Sequence, residues 1–127
     1  PLPEGAGDIA FEKVYRELLI PAAEYFKPDL VLVSAGFDPH RNDMALNLTY
    51  DGFKVITRIV QDIADQHCDG RLALVLEGGY NLTSLARGVH AVLEVLAGGE
   101  IPELLETGVN EANEATEFHL SAFSDDD

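Results

Sequence analysis

The chain holds 127 residues, 46% of them hydrophobic and 24% charged, enough for one modest domain with its own core and too few for two. That balance excludes a wholly disordered chain, and no window approaches the roughly eighteen unbroken apolar residues of a membrane span. Eight Lys and Arg against 23 Asp and Glu leave a net charge of −15, which argues against a nucleic-acid partner held through its phosphates, because such binding needs clustered cations.

In chain order, the first eight residues carry neither the basic start nor the apolar run of a secretory signal. Asp8, a good N-cap, precedes Ile9, Phe11, Val14, Leu18 and Leu19 at helical spacing. This predicts a helix over 9–26 that Pro21, lacking a backbone donor, kinks or restarts as a second turn. Residues 29–36 form a nearly unbroken apolar run between Lys27-Pro28 and Gly36, the mark of a strand buried on both faces. A polar loop over 37–48 leads to a helix from about Thr49 to His67, with Phe53, Ile56, Val60 and Ile63 facing inward. The single cysteine, Cys68, forms neither an intrachain disulfide nor, alone, a structural zinc site, which points to an intracellular protein of the cytoplasm or nucleus. Asp69-Gly70 stops that helix, 71–77 reads as a second buried strand, and Gly78-Gly79 closes it. Asn81 then caps a third helix whose inner stripe is Leu82, Leu85, Val89, Val92, Leu93 and Leu96, ended by Gly98-Gly99.

A short helix is expected over 102–106, with Pro102 in its first turn, and 107–127 is expected to be frayed. Nine of the acids lie in 100–127 with no Lys or Arg, leaving 14 acids against 8 bases in 1–99, so the body carries −6 and the tail −9. The chain therefore divides into an α/β body over 1–99 and a mobile acidic tail over 100–127, whose charge serves solubility or a basic partner.

Two buried strands joined by a helix make a parallel βαβ unit with helices on both faces, so the fold class is α/β. Most sheets have about four to six strands, and two alone leave apolar edges unpaired. Together with the absence of an initiator Met, this leads to the expectation that the chain is the C-terminal part of a larger α/β domain.

In open parallel sheets ligands bind beyond the carboxyl ends of the strands, here Gly36-Phe37-Asp38-Pro39-His40-Arg41 and Glu77-Gly78-Gly79-Tyr80-Asn81. The same rule brings Asp38 and Tyr80 to one rim although they are 42 residues apart. A carboxylate there suits a metal and a phenol suits an oxyanion, yet an Asp after a strand also forms turns, and a Tyr after Gly-Gly also packs as an ordinary aromatic. The Asp38-x-His40 spacing offers two ligands, where catalytic zinc takes three and a water. Two successive glycines permit a φ that other residues resist and let a substrate approach the backbone. No Gly-x-Gly-x-x-Gly follows the first strand, which disfavours a generic nucleotide binder. The sequons Asn47-Leu48-Thr49 and Asn81-Leu82-Thr83 fall where helix caps are needed.

The stretch Pro28 to Arg41, Leu48-Thr49, and Leu76-Glu-Gly-Gly-Tyr-Asn-Leu-Thr83 together resemble the zinc-dependent histone deacetylases, most of all their class II and bacterial acetylpolyamine-amidohydrolase branch. The opening Pro-Leu-Pro-x-Gly-x-Gly-Asp is similar to what precedes the penultimate helix in that branch, so the likeness covers about residues 1–98. It implies an arginase-like α/β domain around an eight-stranded parallel sheet, which supplies the strands missing here. It also implies metal-assisted hydrolysis of an acetyl-lysine or acetylpolyamine amide. By resemblance Asp38 matches the last of three zinc ligands, Tyr80 the tyrosine that donates to the amide oxygen, and Gly78 and Gly79 the glycines lining the acyl-lysine tunnel. His40 falls where the family uses no ligand, and Arg41 with Asp43 reads as a local salt link holding the loop. The family's paired histidines and its Asp-x-His ligands lie upstream of Pro1. The remaining ligands and the general base are therefore expected from the upstream part of the same domain or a complementing chain, and the isolated chain is expected to be inactive. Asp43-Met44-Ala45-Leu46-Asn47 is shorter than the family's Asp-Pro-Leu-Gly-bearing loop. The alternative from another class is a non-catalytic remnant or interaction module that meets a basic partner through the acidic surface. Neither reading involves a membrane.

Overall fold

A computed structural model describes residues 1–104. Helix α1 spans Asp8–Val14, passes through one π-helical stretch at Tyr15–Leu19, and continues as α2, Ile20–Phe26. The expected kink at Pro21 is thus a local change of helical pitch: proline lacks the N–H that would bond back along the helix, and the wider π turn absorbs the missing donor. Asp8 is not the cap, since Gly7 takes that position and Asp8 opens the helix. Its carboxylate turns instead to Thr49, accepting from the backbone N–H at 2.8 Å and from the hydroxyl at 2.6 Å. Lys27 ends α2 in the left-handed conformation, and Pro28 prevents continuation.

Strand β1, Val31–Ala35, pairs in parallel with β2, Leu72–Leu76, in the register Val31↔Leu72 through Ala35↔Leu76. Both strands are one to two residues shorter at each end than the apolar runs suggest. Helix α3, Tyr50–Cys68, connects them, and α4, Leu82–Leu96, follows β2 and packs along α3. Thr49 caps α3 by accepting from the Gly52 N–H at 3.3 Å, and Asn81 caps α4 by accepting from Ser84 at 3.0 Å, so both sequon segments hold caps.

The core lies on one side of the sheet. Val31 packs with Ala23, Val55, Ile59 and Ile63, while Ala35 and Leu74 pack with Phe37, Leu48, Phe53 and Val92. On the opposite face Leu32 is 68% and Val75 60% exposed, so among the described residues helices cover one face and not both. The reason is topological: α3 and α4 lie together and α1 stacks on α3, which leaves no described helix for the other side.

Of the expected inward stripe of α4, Leu85, Val89, Val92 and Leu96 pack into the core, while two residues do not. Leu82 and Leu93 face solvent, and Ser84, Gly88, Ala91, Val92 and Val95 are buried. Small residues choose the face because Phe37 presses against Gly88, where a Cβ would stand 2.5 Å from the ring. Residues 101–104 carry no helix, and Ile101 and Leu104 pack beside the Ala23–Val55–Ile59 cluster. The remainder of the expected short helix and of the acidic tail lies outside the described residues.

Candidate active site

Backbone pairing continues past the strand ends, and this is what brings the two motifs together. The Glu77 N–H donates to the Ala35 carbonyl at 3.1 Å, and the Phe37 N–H donates to the Gly78 carbonyl at 2.8 Å. Asp38 and Gly78 are thereby adjacent at the rim. A Cβ at Gly78 would overlap the Asp38 carboxylate, and one at Gly36 would lie 2.8 Å from its Oδ1. Gly79 has φ of +134°, a backbone region that side chains disfavour, and turns the chain between Leu85 and Phe37.

A cleft of about 520 Å³ runs along this region. Asp38, Gly36, Gly78 and Tyr80 line it, with Phe11 and Tyr15 contributed by the helical layer. Its size falls in the range of about 300–1,000 Å³ typical of small-molecule sites. Gly79 is not among the lining residues, and its contribution is the turn that carries Tyr80. Tyr80 is 72% exposed. Burial pushes the Tyr15 phenol above its ordinary pKa and keeps it protonated.

The loop that presents Asp38 is built as a scaffold. Arg41 donates its N–H to Leu48 at 2.9 Å, Leu48 donates to Pro39 at 3.1 Å, and Asn47 donates to Ala6 at 2.9 Å. Leu48 is fully buried and His40 only 2% exposed. The His40 ring stacks on Tyr50 with centroids 4.5 Å apart, and its Nδ1 accepts the Asn42 N–H at 3.2 Å. Burial, followed by the Arg41 charge, lowers its pKa, so the ring is neutral and serves as a packed prop.

Asp43 does not join Arg41 in a salt link among the described residues. Its Oδ2 accepts instead from the Tyr80 N–H at 2.7 Å and the Asn81 N–H at 2.8 Å, and Asn81 Nδ2 donates to the Asn42 carbonyl at 3.3 Å. Two amides aimed at one oxygen leave the guanidinium little to gain. Sequence reasoning missed this bond, for the partners are 37 residues apart and backbone donors leave no signature.

For a metal, the described residues provide one fitting donor. The Asp38 carboxylate lines the cleft and has no hydrogen bond or salt bridge among them. No three His, Cys, Asp or Glu side chains gather as a metal-binding group among the described residues.

Comparison with known proteins places this geometry in context. A family profile described as the histone deacetylase domain matches residues 1–96. A chloroplastic histone deacetylase 14 of Arabidopsis thaliana is 42% identical over 100 residues, which cover 77% of this chain and 24% of that one. A histone deacetylase-like amidohydrolase of Pseudomonas aeruginosa is 37% identical over 100 residues, covering 77% of this chain and 26% of its own. The crystal structure of the HDA15 HD domain superposes with a TM-score of 0.81 at 31% identity, covering 94% of this chain and 33% of that one. The chain thus spans about a quarter of the length of these two curated relatives.

Proposed function

This chain belongs to the histone deacetylase domain family, and from that premise we propose that it forms part of a zinc-dependent hydrolase that removes acetyl groups from lysine or polyamine nitrogens. The observation that carries the reading is the convergence of Asp38 and Tyr80 on one cleft, with the Asp38 carboxylate free of other partners among the described residues. Zinc, when bound, polarises the acetyl carbonyl and lowers the pKa of water. Among the described residues, Asp38 is the one fitting metal donor at this cleft. The Tyr80 hydroxyl donates a hydrogen bond to the carbonyl oxygen as that oxygen gains charge, and a protonated phenol is the form that can donate. The backbone of Gly78 borders the acyl chain, and Gly79 makes the turn that carries Tyr80 to it.

None of the histidines among the described residues is placed as the general base, which is assigned to the rest of the assembled domain. His40 is enclosed by aromatic rings, His67 lies in the last turn of α3, and His90 faces Glu94 on α4 at 3.6 Å. The remaining ligands come from the upstream part of the same domain or from a complementing chain, so the isolated chain is inactive. The partners are therefore an acetylated lysine or polyamine and the rest of the domain, in an intracellular compartment: cytoplasm, nucleus or a plastid, as for the relative named chloroplastic.

The test uses the full-length, zinc-loaded protein on an acetyl-lysine peptide. Asp38→Ala is expected to lose both zinc and turnover, whereas Tyr80→Phe keeps its zinc and loses about 10²–10³ in kcat. Zinc retained at full affinity without Asp38, or undiminished turnover without the phenol, contradicts the proposal.

A further inference from the structure

The geometry assigns Asp43 as a positioning residue for Tyr80, an inference that rests on the role proposed for that tyrosine. Tyr80 is 72% exposed within this chain, so the described residues do little by packing to aim its hydroxyl. Gly78 and Gly79 precede it, the second at φ +134°, and a double glycine gives the following residue a soft pivot. What fixes the pivot is one carboxylate oxygen: Asp43 Oδ2 accepts from the Tyr80 N–H at 2.7 Å and from the Asn81 N–H at 2.8 Å. Both are charge-assisted bonds, about twice as strong as neutral ones, and the N-terminal end of the fifteen-residue α4 is a favourable place for a carboxylate.

Asp43 is itself anchored to the loop of the proposed metal donor. Its N–H donates to the His40 carbonyl at 2.8 Å, and the next residue, Met44, donates to the Asp38 carbonyl at 3.2 Å. His40 is buried in its ring stack, so the anchor is rigid. A continuous set of hydrogen bonds therefore joins the backbone of Asp38 to that of Tyr80. The two motifs are held at one spacing by Asp43 as well as by the sheet.

In the full-length, zinc-loaded protein, Asp43→Ala is expected to lower kcat about ten- to a hundredfold, the order expected for an ångström-scale misplacement, with KM within about twofold and zinc content unchanged. Asp43→Asn keeps an acceptor oxygen in place and is expected to recover most of that loss. Once the phenol is gone its aim no longer matters, so Asp43→Ala added to Tyr80→Phe costs less than about twofold more. In the chain without metal, amide exchange at Tyr80 and Asn81 accelerates in Asp43→Ala and not in Arg41→Ala. Equal losses from Asp43→Ala with and without the Tyr80 phenol overturn the inference, as does a loss that appears as missing zinc. A normal kcat in Asp43→Ala beside a slow Tyr80→Phe overturns the inference alone. A normal kcat in Tyr80→Phe removes the role of Tyr80 and the inference with it.

Discussion

The contact between Gly78 and the Asp38 carboxylate carries the most chemistry per atom. Because a single Cβ at position 78 occupies the space of that carboxylate, Gly78→Ala forces the acid off its seat while leaving the strand intact. In the full-length protein we expect the variant to bind zinc about 10–100-fold more weakly with an unchanged circular dichroism spectrum, read by competition with a chelator; unaltered affinity would show that Asp38 holds no metal. The positions of Asp38, Gly78 and Tyr80 were legible in the sequence because strand ends are marked by a change from apolar run to glycine, and the rim of a parallel sheet follows from those ends. The partners of Asp43 and Asp8 were not legible. Each reaches backbone donors some forty residues away, and a carboxylate gives no hint in sequence of which amide it meets.

Helix α3 shows how one element sets the frame of the site. Its cap, Thr49, is held at both backbone N–H and hydroxyl by Asp8, which ties the start of α1 to the end of the loop bearing Asp38. Thr49→Ala is expected to cost about 1–2 kcal/mol, measured as a lower urea midpoint with an unchanged slope. Gly88→Ala is expected to cost about 1–3 kcal/mol by overpacking, since Phe37 occupies the space above it. A stability equal to the parent would mean that the Phe37 ring has room to yield. Periodicity found α3, α4 and both strands, because their apolar residues repeat at intervals that only one conformation satisfies. On α4 it placed Leu85, Val89, Val92 and Leu96 inward, as they are, but missed that Ser84, Gly88 and Ala91 also lie inward and that Leu82 and Leu93 lie outward. Close approach between elements selects small side chains, which a count of large apolar residues overlooks.

Across the whole molecule, a two-stranded parallel sheet has one face under helices and the other bare among the described residues, with Leu32 and Val75 more than half exposed there. Apolar surface of that kind belongs against another layer, and a chain that spans about a quarter of its relatives' length is proposed to find that layer in the rest of the domain. The isolated chain is accordingly expected to bind a hydrophobic dye and to associate as its concentration rises, and Leu32→Lys is expected to weaken both. A dye-silent monomer would contradict this. The central claim is that Asp38 and Tyr80 serve one zinc, and zinc anomalous scattering from crystals of the full-length protein tests it most directly. The account predicts a single peak about 2.0–2.2 Å from an Asp38 carboxylate oxygen, with the Tyr80 hydroxyl facing the open side of the ion. A zinc peak bound elsewhere, with Asp38 free of it, would contradict the account.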